Sequence, residues 1–305
     1  MEQKNHNPRL ISEELVNTLI KKRDRELHKG DCGKTLVIAG SRGMAGAAVL
    51  SVRGALRAGA GLVRISAPED MWEILQISVP EATCIPRQLT GPILNEHQAV
   101  VLGPGLGDDE ENVRLIEEVL LLYEGPLLID ADGLNTVARD KKLLQLCRDF
   151  SSKGGSGKGS RRTSLILTPH PGEAGRLLKC TREQINADRV GAAEKLSQDL
   201  KAIAVLKGSG TLVAIDGGPT YINTTGNPGM ATGGSGDVLS GIIGALTGQG
   251  LSCEQAAVCG VYLHGKAGDL AAEALGEYGM ISSDIAAMTA LAFKKVMTTV
   301  ASDSF

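Results

Sequence analysis

The sequence predicts an α/β fold, with a mostly parallel central sheet, helices on both faces and an antiparallel hairpin at one edge. Three features point to it. Short runs of valine, isoleucine and leucine alternate with helix-like stretches along most of the chain. Glycine-rich or polar segments follow those runs at their carboxyl ends, and after Gly234 only helical patterns remain. Strands separated by helices pair in parallel and are covered on both faces.

The elements follow in order. Residues 12–23 (SEELVNTLIKKR) read as an opening helix capped by Ser12. TLVIA (35–39) is a buried strand, 47–57 an alanine- and leucine-rich helix, and LVRIS (62–66) the next strand. Residues 69–77 are helical, QAVVLG (98–103) a strand, 109–123 a helix, and PLLID (126–130) a strand. LILT (165–168) is a strand, 187–200 a helix, and AIAVLKG (202–208) a strand. TLVAI (211–215) and TYIN (220–223) flank Asp216-Gly217-Gly218, a hairpin signal. Helices over 235–247, 253–274 and 282–298 complete the chain. SSKGGSGKGSRR (151–162) is a glycine- and serine-rich basic stretch, expected to be a flexible surface loop. No composition shift marks a boundary, so residues 1–305 are expected to form a single domain with its core over 25–298.

Composition excludes several function classes. A formal net charge of -3 argues against a nucleic-acid-binding protein, which is normally basic. The N-terminal MEQKNHNPRLISEE is too polar for a signal peptide, and no apolar run approaches the roughly 18 residues that span a bilayer, so no membrane association is expected. Cys32, Cys84, Cys147, Cys180, Cys253 and Cys259 are scattered, with no Cys-x-x-Cys pair, and read as reduced thiols of a cytoplasmic protein.

In open parallel sheets, ligands bind outside the carboxyl ends of the strands. Five segments lie where that rule needs them: GSRGMAG (40–46), GPGLG (103–107), DADGLN (130–135), TPHPGE (168–173) and KGSGT (207–211). The most informative segment is TTGNPGMATGGSGDVLSGIIGAL (224–246), in which Gly233, Gly234, Ser235 and Gly236 lead into an apolar helix. Unblocked amides and the positive end of the helix dipole would make an anion hole there. Asp237 opens that helix, where a carboxylate repels phosphate unless it has a job. It could accept a proton from an attacking hydroxyl, or simply cap the helix.

Lys207, Gly208, Ser209, Gly210 and Thr211 could hold a nucleotide phosphate, with Lys207 or Thr211 in contact, or form an ordinary turn. The segment is not a Walker A loop, and GSRGMAG has the wrong spacing for a dinucleotide fingerprint. His170, held between two prolines, could orient a substrate or be a plain turn residue. Glu173 could bind magnesium through water or cap the next helix; Asp130 and Asp132 are further polar candidates, with capping expected at Asp132. Spacing does not locate metal ligands, because magnesium needs only one or two carboxylates plus phosphate oxygens.

Together HKGDCGKTLVIAGS (28–41), GMAGAAVLSVRGALRAGAGLV (43–63), VLGPGLG (101–107), LIDADGLN (128–135), LTPHPGEAGRLL (167–178), VLKGSGTLVA (205–214) and NPGMATGGSGDVLSGIIGAL (227–246) resemble the nucleotide-dependent NAD(P)H-hydrate dehydratases. The resemblance runs over most of 25–270 and favours the bacterial type. It implies a ribokinase-like fold and repair of hydrated NADH and NADPH, with ADP or ATP as phosphoryl donor, Mg2+ as cofactor and ADP favoured. It further implies that Asp237 activates the hydroxyl, that Lys207 to Thr211 and Gly236 bind the adenine nucleotide, and that Ala47, Gly105, His170 and Asp237 bind the hydrated coenzyme. A homo-oligomer, a tetramer, is implied as well. The larger fused members carry an N-terminal epimerase half with no counterpart in this sequence, so no epimerase activity is expected. The alternatives are a kinase of the same fold acting on a vitamin precursor or sugar, a silent nucleotide sensor, and a dehydrogenase.

Overall fold

A computed structural model describes residues 7–152 and 165–298. The chain runs β1 (Arg9–Leu10), α1 (Glu13–Leu19), β2 (Lys34–Ile38), α2 (Ala45–Arg57), β3 (Leu62–Ser66), α3 (Trp72–Ser78), β4 (Thr83–Ile85), α4 (Gly91–Asn95) and β5 (Ala99–Leu102). It continues through α5 (Glu111–Leu122), β6 (Leu127–Ile129), α6 (Asp132–Arg139), α7 (Lys141–Ser152), β7 (Leu165–Leu167), α8 (Pro171–Leu178), α9 (Arg182–Ala187), α10 (Arg189–Leu200) and β8 (Ile203–Leu206). It ends with β9 (Leu212–Ala214), β10 (Thr220–Ile222), α11 (Ser235–Gly248), α12 (Cys253–Leu275) and α13 (Ser282–Thr298).

One ten-stranded sheet results, in the order β1-β10-β9-β8-β7-β6-β5-β2-β3-β4. From β4 to β8 every pairing is parallel. The β9–β10 hairpin adds the antiparallel pairings, as the Asp-Gly-Gly signal predicts. The hairpin is not the outermost element, because β1 pairs in parallel onto β10. Two residues carry no readable pattern, so β1 had no sequence signal.

Successive strand residues face opposite sides. Val37, Val101, Leu128, Ile166 and Val205 join a core with α1, α2, α3, α11, α12 and α13. Leu36, Leu102, Leu127, Leu167 and Leu206 join a second core with α4 to α10. Strands buried on both faces read as continuous apolar runs, which is why they were legible.

Ser12 caps α1, accepting from the Leu15 amide at 3.2 Å, but the helix stops at Leu19 instead of reaching residue 23. Residues 21–25 are exposed and charged, and give a further turn nothing to bury. α8 begins inside the PHPGE segment, with Pro171 in its first turn. α7 runs to Ser152, so the basic stretch overlaps a helix there; its remainder, 153–162, lies outside the described residues. Among the described residues no helix is long and apolar enough to cross a membrane.

α11 crosses α2 at backbone contact: a Cβ on Gly241 would strike the Ser51 carbonyl and lie 2.9 Å from the Ala55 nitrogen. Alanine is the better helix former by roughly 0.5–1 kcal/mol, so propensity alone makes Gly241→Ala stabilising. The obstruction is backbone and cannot rotate aside, so the variant should instead lose about 2 kcal/mol. Urea denaturation reads the sign, and a stabilised variant would contradict the close crossing.

Candidate active site

The rim above β2, β5, β6, β7 and β8 is laced by backbone hydrogen bonds. Gly40 N donates to Pro104 O at 2.8 Å, Asp130 N to Leu102 O at 3.0 Å, and Lys207 N to Pro169 O at 2.9 Å. Between Asp130 and Asp132, Ala131 sits at φ 51°, ψ -120°, a conformation that L-residues avoid. That kink sends the two carboxylates to different tasks. Asp130 is buried and turns toward β8, whereas Asp132 accepts from the Gly107 amide at 2.9 Å. The expected capping by Asp132 is therefore absent; its carboxylate ties α6 to the GPGLG loop instead.

Lys207 sits 2.6 Å from Asp130 Oδ1 and 3.9 Å from Glu173 Oε2. Ser240, on α11, donates to Asp130 Oδ2 at 2.5 Å. The Lys207 amine also lies against the Gly236 backbone, where a Cβ would sit 3.1 Å from Nζ. Burial disfavours the charged amine, but the carboxylates of Asp130, Glu173 and Asp237 outweigh it and hold Lys207 above its ordinary pKa.

Glu173 and His170 close a capping box on α8. His170 Nδ1 accepts from the amides of Gly172 (2.9 Å) and Glu173 (3.3 Å), while Glu173 Oε2 accepts from His170 N at 2.8 Å. Nδ1 is therefore unprotonated, and Nε2 carries the proton toward Glu173 Oε1 at 3.3 Å. Burial, then Lys207, keeps His170 below its usual pKa. Burial lifts Glu173 to about 7 against the pull of Lys207.

Asp237 occupies the first turn of α11 and makes no capping hydrogen bond. Among the described residues its carboxylate has no hydrogen-bond or ion-pair partner, unlike Asp130 and Glu173, so capping does not account for it. Burial, then the negative charge of Asp130, raises Asp237 to about 7. The amides of Gly236 and Asp237 likewise have no acceptor among the described residues, as expected for a helix N-terminus. Ser235 and Gly236 border a cavity. Gly233 and Gly234 do structural work: the Gly233 carbonyl accepts from Ser282 Oγ at 2.7 Å, and Gly234 (φ 89°) packs on Leu50.

That cavity measures about 640 Å³ and brings together the 207–211 turn, His170, Ser235, Gly236 and the 223–231 segment. Arg189 clamps the turn from outside through the carbonyls of Leu206, Lys207 and Ser209. Thr211 closes it from within, donating to Gly208 O at 2.9 Å. The opposite wall rests on Asn223, which donates to Val261 O at 3.1 Å, and on Asp269, which accepts from Gly226 N at 3.0 Å and Asn227 Nδ2 at 3.2 Å. Ala47 and Gly105 are not on this wall. They lie together at the start of α2, where a Cβ on Gly105 (φ 62°) would sit 2.7 Å from Ala47 Cβ and 3.0 Å from the Met44 carbonyl. A second hollow of about 1010 Å³ opens beside them, bordered by Met44, Arg87, Leu106 and Gly107.

The structure thus joins the 207–211 turn with Gly236 and His170 in one cavity, and Ala47 with Gly105 in another region. Sequence reasoning missed Arg189, Asn223, Asp269 and His264. Glycines inside the long apolar helix α12 were the available signal, since Gly265 and Gly268 admit Thr225 and Met230 against its backbone.

Among known proteins, a family model described as NAD(P)H-hydrate dehydratase matches residues 35–290. The chain is 40% identical over 292 residues to the bifunctional NAD(P)H-hydrate repair enzyme Nnr of Moorella thermoacetica, covering 92% of this chain and 52% of that protein. It spans about half the length of such bifunctional relatives. It is 38% identical over 274 residues to the ADP-dependent (S)-NAD(P)H-hydrate dehydratase of Neisseria meningitidis, covering 88% of this chain and 87% of that one. The crystal structure of the ADP/ATP-dependent NAD(P)H-hydrate dehydratase from Bacillus subtilis, co-crystallised with ATP/Mg2+, superposes with a TM-score of 0.81 at 28% identity, over 95% of this chain and 99% of that one.

The buried pair yields a stability prediction. Asp130→Ala leaves Lys207 with Glu173 as its nearest carboxylate and Ser240 with only the longer bond to the Gly236 carbonyl at 3.1 Å. Removing one partner of a buried ion pair is worth about 3 kcal/mol or more, so urea denaturation should show a loss of that size; a change below about 1 kcal/mol would mean the pair is not desolvated.

Proposed function

The chain belongs to the NAD(P)H-hydrate dehydratase family, and from that premise we propose that it converts the S form of hydrated NADH and NADPH back to NAD(P)H in an ADP-dependent reaction, releasing AMP and phosphate. The observation that carries the reading is Asp237: a carboxylate without a protein partner, lifted to about 7, in the first turn of a helix whose neighbouring amides are free.

Hydroxide is a poor leaving group, and phosphate a far better one. Asp237 takes the proton of the ring hydroxyl as its oxygen bonds to the β-phosphorus of ADP. The bond from that phosphorus to the bridging oxygen breaks, giving AMP and a phosphate ester. The ring nitrogen's lone pair then expels phosphate, and loss of a proton from the adjacent carbon restores the double bond. The Gly236 and Asp237 amides, with the Lys207 charge behind them, stabilise the migrating phosphoryl group. Lys207 to Thr211 and Gly236 hold the nucleotide in the 640 Å³ cavity. Ala47, Gly105, His170 and Asp237 receive the hydrated coenzyme, His170 from the wall of the 640 Å³ cavity. The contact between Ala47 and Gly105 supports this, because a flat ring can approach backbone where side chains are small.

Magnesium is assigned to the nucleotide. Among the described residues no group of three His, Cys, Asp or Glu is arranged to hold a metal, and Asp130 and Glu173 already serve Lys207 and His170. A magnesium ion would neutralise phosphate charge, held chiefly by the phosphates themselves. We further propose one functional domain over 1–305, a cytoplasmic setting, supported by six cysteines that form no disulfide with one another, and a homotetramer, testable by light scattering.

A same-fold kinase is the rival, and the donor assay separates the two. Hydrated NADH with ADP should regain reduced-nicotinamide absorbance while AMP accumulates, faster than with ATP. No recovery, with phosphate transferred to a thiazole or pyrimidine alcohol instead, would leave the kinase standing. Asp237→Asn should keep nucleotide binding and lower turnover by about 10²–10⁴-fold. The wild-type rate should rise with pH through about 7, as Asp237 loses its proton, and then level off.

The same raised pKa gives a stability signature. A carboxyl whose folded pKa exceeds its unfolded value favours the fold at low pH, and that contribution is lost as pH rises through about 7. Asp237→Asn should therefore be more stable than wild type at pH 8, with the gap closing toward pH 5. A difference from wild type that is the same at pH 5 and pH 8 would argue that Asp237 is not desolvated.

A further inference from the structure

The direction of a helix-terminal amide is set by the peptide plane that carries it. In a trans peptide the carbonyl and the N–H point opposite ways, so holding the Ser235 carbonyl fixes the line of the Gly236 N–H. A side chain does hold it. His264, in the middle of α12, places Nε2 at 2.9 Å from the Ser235 carbonyl oxygen and 3.3 Å from Ser235 Oγ. A carbonyl only accepts, so Nε2 carries the proton. The ring is 9% exposed and borders the 640 Å³ cavity together with Ser235 and Gly236. Burial, then the nearby Lys207 charge, pushes its pKa down to about 4 although the Ser235 bond pulls the other way. The ring is therefore uncharged at neutral pH.

We infer that His264 is a positioning residue for the phosphate end of this cavity: by holding the Ser235–Gly236 peptide plane from α12, it keeps the Gly236 amide aimed at a nucleotide phosphate. This rests on the reading that the cavity takes an adenine nucleotide. The geometry favours positioning over filler. An apolar side chain would fill the same space, yet it would take the side-chain donor off the Ser235 carbonyl. The turn is held elsewhere, by Ser282 on the Gly233 carbonyl and Ser240 on the Gly236 carbonyl, but those bonds lie outside the Ser235–Gly236 peptide plane or at its far neighbour, and its N-cap is a glycine without a side-chain hydrogen bond.

The test compares affinities for ADP and for adenosine, which lacks phosphates, by calorimetry on the full chain. His264→Leu should weaken ADP about tenfold, the worth of one charge-assisted hydrogen bond, and leave adenosine within about twofold. His264→Gln, whose amide N–H can reach a carbonyl, should recover most of the ADP affinity. Equal losses for both ligands, no loss in the Leu variant, or a Gln variant as impaired as Leu would each overturn the assignment. If the Leu variant does not fold, His264→Asn, with an amide too short for the carbonyl, is judged by the same criteria. Wild-type chain that binds ADP without restoring the coenzyme would sink the proposed reaction and leave this contrast standing; wild-type chain that binds no ADP sinks both.

Discussion

The site depends on one partly buried cation. Lys207 stands among Asp130, Glu173 and Asp237, three carboxylates that could not share so dry a space without it. Repulsion and burial together would protonate them, and a protonated Asp237 cannot act as a base. A buried ion pair is weak evidence for stability in itself. Its use here is to set the charge state of its neighbours. Asp130 is saturated by Lys207 and Ser240, and Glu173 is engaged with His170, which leaves Asp237 as the carboxylate without a partner.

The second constraint is the start of α11. Its dipole and free amides suit an anion, while Asp237 places a negative charge in the same turn. Lys207 behind Gly236 offsets that conflict, and a Cβ at position 236 would crowd the amine, 3.1 Å from Nζ. Further along, Gly241 and Gly54 let α11 lie on α2 at backbone contact, which brings the start of α2, with Ala47, close to the same turn. The loops are held mainly by backbone hydrogen bonds and by clamps such as Arg189.

Much of the architecture was legible because parallel strands buried on both faces are plain apolar runs of four or five residues. Lys34–Ile38, Leu62–Ser66 and Ala99–Leu102 lie within a residue of where the pattern put them. The short elements were not legible. Arg9–Leu10 is too brief for periodicity, and Pro171–Leu178 hid behind two prolines that read as a loop, although proline suits a helix's first turn. The candidate site was legible as a set of strand-end loops. Its internal assignments were not: Asp132 serves the Gly107 amide, Thr211 spends its hydroxyl on its own turn, and Gly233 and Gly234 serve packing more than the cavity.

The sequence by itself determined the fold class, the rim and the candidate polar groups on it, because periodicity and glycine placement are local properties of the chain. Which carboxylate is free and which is tied was decided only in three dimensions. Asp130, Glu173, Lys207 and Asp237 come from four separate stretches, and charge state depends on burial and on neighbours within a few ångströms. Sequence separation encodes neither.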